Sequence, residues 1–154
     1  MNILLQAASR AQQPLLAAML PDYLGELGAD IDYPYLPLYW REAGRYPYLI
    51  FNERQPVGFA LVRMRDPEVR EMAEFYVTRP WRKYGVGQSA ARALFALHPG
   101  RWQLSVLADN PGALAFWLSL MPPDAYRAWI DTPGERPHWR LAFTPRADAN
   151  AGLR

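Results

Sequence analysis

Apolar positions change their spacing several times along the chain, and each change marks an element. Residues 3–8 form a short apolar run, the length of an edge strand. Ser9 follows as a cap, with Gln12 completing a weak capping box. Leu16, Met19, Leu20, Tyr23, Leu24 and Leu27 then recur at helical spacing. Pro14 suits a first turn, but Pro21 falls inside the pattern and predicts a kink or two short helices. Residues 30–45 lose the period and read as a loop with helical turns, stiffened by Pro34 and Pro37. Residues 46–51 and 57–64 are strand-like runs joined by a hairpin loop at 52–56. Gly58, inside the second run, predicts a bulge or a close backbone approach. After a polar turn at 65–68, residues 71–77 make a third strand, and the short connections predict an antiparallel meander.

Val86, Ala90, Ala93, Leu94 and Leu97 restore the helical period, and Pro99-Gly100 ends it. Residues 102–107 read as a strand, so strand–helix–strand order predicts a parallel crossover from the strand ending at Val77. Asn110-Pro111 is an N-cap and first-turn pair for another helix, which Pro122-Pro123 terminates. Residues 125–130 and 139–143 are the last strands, paired across 131–137, and a polar tail begins at Thr144. With no internal repeat, the chain reads as one α/β domain at 1–146, a mixed, mostly antiparallel sheet flanked by helices. Residues 147–154 read as a flexible tail.

Composition narrows the chemistry. The 154 residues are 51% hydrophobic and 14% aromatic, enough to bury a core. The absence of cysteine excludes disulfides, thiolate metal sites and a cysteine nucleophile. His98 and His138 are the only histidines, too few for a His-based metal cluster, so no metal is expected. A net charge of +2 gives no support to a nucleic-acid partner. Arg79, Arg82 and Lys83 do cluster, which favours one small anionic ligand. Residues 1–8 lack a basic region of the leader type, and no run has the length of a membrane span. A cytoplasmic protein without a membrane partner is the expectation.

The candidate chemistry centres on residues 75–88, a strand, a turn, a basic glycine-bearing loop and a helix start. Arg82 to Gly87 has the form Arg-x-x-Gly-x-Gly. Its glycines let backbone N–H groups approach a ligand, and the helix N-terminus adds unpaired donors and partial positive charge. Together they form a phosphate cradle. No Walker loop is present. A dinucleotide fingerprint would need a third glycine where Ala90 stands, a substitution that is sometimes allowed, so that reading stays open. A basic turn with glycines for geometry alone is the other reading.

The segment Arg82-Lys83-Tyr84-Gly85-Val86-Gly87 resembles the Arg/Gln-x-x-Gly-x-Gly/Ala motif of GNAT acetyltransferases, whose loop holds the pyrophosphate of acetyl-coenzyme A. At the family's spacing, Asn110 to Trp117 resembles the Asn-x-x-Ala-x-x-Phe-Tyr segment that closes the other side of the cofactor. The resemblance spans about residues 3–143 and is specific over 57–117. It implies a GNAT-like fold with a splayed parallel strand pair, and transfer of an acetyl group from acetyl-CoA to a primary amine of a small molecule or peptide. It implies Phe75, Tyr76 and Val77 along the pantetheine arm, and Arg82, Lys83, Tyr84, Gly85, Val86, Gly87 and Gln88 at the pyrophosphate. Asn110, Ala113 and Phe116 fall on the cofactor's other side. The backbone N–H of Val77 becomes the oxyanion donor. The loop at 30–45 becomes the acceptor wall, with Tyr33, Tyr39 and Trp40 as contacts. Its aromatics and its carboxylates, Asp30, Asp32 and Glu42, suit an organic cation; for each residue singly, an aromatic lid packed on the sheet with a solvated acidic rim is the preferred reading.

Glu74 is the candidate general base, since half-burial beside aromatics would raise its pKa; an exposed strand glutamate paired with arginine is the alternative. At period two it shares a face with Met72 and Tyr76, while Phe75 and Val77 face the other way. The chain departs from the family at Trp117, where many members carry a tyrosine that protonates the thiolate. An indole N–H cannot act as that acid. Tyr84, Tyr76 or Tyr126 could substitute, with Tyr126 the expected catalytic residue, or the thiolate could leave unassisted. A monomer or homodimer is expected. The competing reading is a coenzyme A-binding sensor or adaptor that has lost catalysis.

Overall fold

The computed structural model describes residues 2–29 and 32–146; Asp30 and the expected tail at 147–154 lie outside the described residues. The chain runs β1 (Ile3–Ala7), α1 (Gln13–Leu27), a 3-10 turn at Leu36–Trp40, β2 (Arg45–Asn52), β3 (Gln55–Asp66) and β4 (Val69–Val77). It continues through α2 (Val86–Leu97), β5 (Arg101–Leu107), α3 (Pro111–Leu120), β6 (Tyr126–Ile130) and β7 (His138–Phe143). All the strands join one 7-stranded sheet in the order β1-β2-β3-β4-β5-β7-β6. Every neighbouring pair is antiparallel except β4–β5, so the meander and the crossover are both as expected. Among the described residues no helix is long and apolar enough to cross a membrane.

Pro21 does not divide α1, which is a single helix. Leu16, Leu20, Tyr23 and Leu24 are buried along one face, at about 1.5–3 kcal/mol for a large apolar side chain. That outweighs the roughly 3 kcal/mol cost of an interior proline. Pro21 and Ala17, whose carbonyl loses its partner, are both exposed, so water can satisfy that oxygen.

The helices cover the two faces of the sheet unequally. On one face α1 and the 3-10 turn pack Leu20, Tyr23, Leu36 and Tyr39 against Leu49, Phe59, Leu61 and Tyr76. On the other, α2 and α3 pack Leu94, Phe95 and Trp117 against Val62, Met72, Trp102 and Leu104.

Two irregularities shape the centre of the sheet. In β4, Leu61 pairs with Glu74 but Val62 pairs with Met72, so Ala73 is an extra residue. This bulge corrects the expected alternation. Met72 packs on the α2 face, whereas Glu74 and Tyr76 face α1. A strict period of two cannot foresee the change, because one inserted residue inverts everything before it. In β3, Gly58 meets both of its expectations. A register shift falls beside it, between Ile50 and Phe51, and a Cβ there would overlap the Tyr76 carbonyl oxygen and press on Ile50 Cδ1 at 3.2 Å. Gly58→Val should therefore lose at least about 2 kcal/mol of stability in denaturant unfolding. An unchanged midpoint would show that the two strands can separate without cost.

Candidate active site

The parallel ladder between β4 and β5 joins only Val69–Glu71 to Arg101–Gln103. Beyond it the strands part. The phase of the outer ladders says which peptide groups face the gap. Thr78 N–H donates to Val57 O at 2.8 Å on one side, and Ala108 N–H to Pro137 O at 2.9 Å on the other. Antiparallel pairing alternates, so the peptide groups of Phe75 and Val77, and of Ser105 and Leu107, turn into the gap. The N–H proposed as oxyanion donor, that of Val77, is among them.

The glycine-bearing loop closes one end of this gap. Lys83 and Gly85 are both left-handed, with φ of 68° and 78°, and Gly85 is the N-cap of α2. No side chain caps that helix, so its first N–H groups stay available. A Cβ on Gly85 would meet nothing within 4 Å. Val86 is buried and contributes only its backbone, whereas Lys83, Tyr84 and Gln88 are exposed. Gly87 has a packing role: a Cβ there would lie 3.2 Å from the Phe116 ring and 3.6 Å from Phe75.

Arg82 is more committed than a phosphate ligand need be. Its Nε donates to Val77 O at 2.8 Å, and Nη2 lies 2.7 Å from Glu26 Oε1 in α1. Its guanidinium also stands 5.5 Å from the centre of the Tyr76 ring. Arg82 thus ties the end of β4 to α1. Charge toward an anion is left to Lys83 and to Arg79, whose contact with Glu26 is looser, at 3.9 Å.

The second motif meets the first across the gap. Asn110 Oδ1 accepts from Ala113 N–H at 3.2 Å, capping α3. Phe116 stacks on Phe75, with ring centres 6.0 Å apart. Trp117 is buried edge-on to Phe75 at 5.1 Å, so the position of the usual tyrosine is filled by core.

Glu74 faces α1, where Tyr23 Oη donates to its Oε1 at 3.1 Å. Burial pushes the Glu74 carboxyl up to about 7; the Tyr23 hydrogen bond opposes this and the Glu71 charge adds to it. Tyr33 and Tyr39 lie close enough to feel the Glu74 charge, and burial holds both phenols above their ordinary range. The Tyr39 hydroxyl is buried without a hydrogen bond, with Tyr33 as a polar neighbour. Most other carboxylates here are spent on arginines: Glu42 on Arg45 at 3.6 Å, Glu71 on Arg63 at 3.5 Å and Glu26 on Arg82. On the same face, across the gap, a shallow open depression is lined by Ser105, Leu107, Glu135, Arg136 and His138. Arg136 bridges the C-terminal carbonyl of α1 at Leu27 and the carboxylate of Asp109.

A family model described as "Acetyltransferase (GNAT) family" matches residues 14–121. The chain belongs to the GNAT acetyltransferase family. Members are acyltransferases, and the GNAT fold is shared with solved structures of low sequence identity. An acetyltransferase from Thermus thermophilus superposes with a TM-score of 0.71 at 19% identity, over 92% of this chain and 96% of that one. The ribosomal-protein-S18-alanine N-acetyltransferase from Escherichia coli gives 0.71 at 14% identity, over 97% and 98%. A GNAT family acetyltransferase from Elizabethkingia anophelis, with acetyl-CoA bound, gives 0.66 at 15% identity, over 94% and 98%. No curated protein sequence matches the chain significantly.

Within this GNAT domain the glycine-bearing loop, Phe75 and the Asn110–Trp117 segment lie around the gap, whereas several other expected site residues lie elsewhere. Tyr126 is paired with Ala142 on β6, the outer edge strand, and is 58% exposed. Ala142 in turn pairs with Gln103, at the closed end of the gap, so Tyr126 is two strands away from it and cannot reach a thiolate between Val77 and Leu107. The expectation failed because sequence order does not reveal that β7 inserts between β5 and β6. Trp40 donates from Nε1 to Ala8 O at 2.9 Å, pinning the 3-10 turn to the end of β1 rather than facing a ligand. Tyr76 turns its ring toward α1, leaving Phe75 as the side chain beside the α3 motif. Tyr23 was hidden in the apolar stripe of α1, and Glu26, exposed beside it, carried no local sign of its arginine partner. The signal for Tyr23 was a hydroxyl in an otherwise aliphatic face.

Proposed function

We propose that this GNAT domain transfers an acetyl group from acetyl-CoA to a primary amine of a small molecule or peptide. The observation that carries the reading is a half-buried carboxyl, Glu74, held up to about 7 by desolvation on the acceptor face beside an open strand gap. A base near neutrality can take the proton from an ammonium group and still release it. The residues present fit acetyl-CoA: uncapped N–H groups at the start of α2, open space at Gly85, and peptide groups of Val77 and Leu107 turned into the gap. Bound there, the cosubstrate supplies a thioester activated for acyl transfer. Lys83 and the α2 N-terminus hold the pyrophosphate. Glu74 accepts the amine's proton, and Val77 N–H donates to the carbonyl oxygen as the amine nitrogen bonds to carbon and the carbon–sulfur bond breaks. With a thiol pKa of about 8.5, the departing thiolate needs little assistance at neutral pH.

Trp117 favours a second reading, a coenzyme A-binding sensor without turnover. Incubation with acetyl-CoA and a panel of amines separates the two. The enzyme reading expects free thiol and acetylated amine in equal amounts. Stabilisation by acetyl-CoA with no thiol released across the panel would leave only the sensor. The crowded tyrosines around Glu74 further favour amines that are cationic at neutral pH over neutral alcohols.

A further inference from the structure

The geometry points to Tyr23 as a positioning residue that clamps one oxygen of Glu74 and leaves the other, Oε2, to take the proton of the acceptor amine. This rests on the transferase reading above. Tyr23 reaches Glu74 from a different element, α1, and its hydroxyl donates to Oε1 at 3.1 Å. Its ring is fixed edge-on to Phe59 at 5.3 Å and to Tyr76 at 5.5 Å, so the hydroxyl has little freedom to swing away. Oε2 has no hydrogen bond within the described residues. Yet the Tyr39 hydroxyl is the only side-chain polar atom among them that is both buried and unpartnered, so Oε2 keeps access to solvent. The Ala73 bulge sets Glu74 on the α1 face while Met72 packs on the opposite one.

The clamp leaves the carboxylate half-satisfied. One lone pair is held by a phenol that burial and the Glu74 charge keep protonated far above neutral pH. The second oxygen is left to bind the ammonium group, accept its proton and release it to water. The titratable and charged groups around the pair are Tyr33 ahead of the 3-10 turn, Tyr39 within it, Arg45 on β2, Arg63 on β3 and Glu71 on β4. Arg45 and Arg63 are each paired with a glutamate, so Tyr23 is the only direct hydrogen-bond donor to Glu74 among the described residues.

Tyr23→Phe keeps the ring and removes the donor. The Tyr23 bond favours the ionised form, so Glu74 in the variant should titrate at higher pH than in the natural protein. Two readouts keep this separate from the transferase reading. In the protein without ligands, carbon NMR of the Glu74 carboxyl, assigned by difference from Glu74→Gln, should show the upward shift whether or not any amine is acetylated. In turnover, the acidic limb of kcat/KM should move upward by the same amount, and kcat should fall several-fold at neutral pH with acetyl-CoA affinity unchanged. A Glu74 titration identical in the two proteins would overturn the clamp. An upward NMR shift in a protein that acetylates no amine would keep the contact and remove the transferase reading. A shift in the NMR titration with an unmoved kinetic limb would also overturn the role, since Glu74 would then not be the group that takes the proton. Thermal unfolding of Tyr23→Phe checks that the fold is retained.

Discussion

Glu74→Gln should lower turnover at neutral pH by about 100-fold or more, the usual scale for losing a general base, and should at the same time make the protein more stable. The two effects have one cause. Burial raises the Glu74 carboxyl from 4.5 to about 7. The folded state therefore prefers it protonated. Its favourable contribution is complete below the unfolded value of 4.5 and is lost as pH rises through 7. Above that, the folded protein holds a partly desolvated carboxylate at a cost on the order of 1–3 kcal/mol. Gln keeps the shape, can still accept from Tyr23, and carries no charge. The variant should thus gain stability over the natural protein above pH 7 and lose that advantage in acid, measured as urea midpoints at the two ends of the range. Equal stability at all pH values would mean that Glu74 is solvated normally, and near-normal turnover would remove it from the mechanism. Activity should recover partly at high pH, where more of the amine is already neutral.

Gly85→Asp should abolish useful binding of acetyl-CoA. The N-cap of α2 has φ of 78° and no neighbour where a Cβ would project. Aspartate tolerates the left-handed region better than most residues. Lys83, at φ of 68° in the same loop, shows that the turn accommodates a side chain there. The fold should survive, then, while a carboxylate occupies the cradle. At an effective dielectric near 20, two like charges about 4 Å apart repel by about 4 kcal/mol. The expected loss is roughly 100-fold to 1,000-fold in affinity. Gly85→Asn, with the same shape and no charge, should lose far less. Titration calorimetry with acetyl-CoA reads both. Affinity unchanged in the aspartate variant would mean that the anion does not sit at this helix end.

The parts of this account that depend on local pattern were legible in the chain. Helical spacing gave α2, and Asn110-Pro111 with Pro122-Pro123 bounded α3, the first pair marking the cap in which Asn110 Oδ1 accepts from Ala113 N–H. The strand runs gave β2 to β5, and their order gave the parallel crossover and hence the gap. What was not legible depends on one residue more or less, or on a partner from a distant element. Ala73 inverts the face of Met72 relative to Glu74, and nothing in the run from Val69 to Val77 marks it as the extra residue. Arg82 read as a free charge because Glu26, 56 positions away, is invisible as its partner until α1 is laid on the sheet. Pro21 read as a break because the burial of α1 is a tertiary gain. Tyr126 read as available because strand insertion by β7 is not encoded in any local signal.

The central claim is that a half-buried carboxyl titrating near neutrality takes the proton from the acceptor amine. The pH dependence of kcat/KM for the natural protein, with acetyl-CoA and an accepted amine of known basicity, tests it most directly. An acidic limb with its midpoint near 7, the value at which desolvation holds Glu74, is expected, and so is its disappearance in Glu74→Gln. A profile that follows only the amine's own ionisation, identical in both proteins, would contradict it.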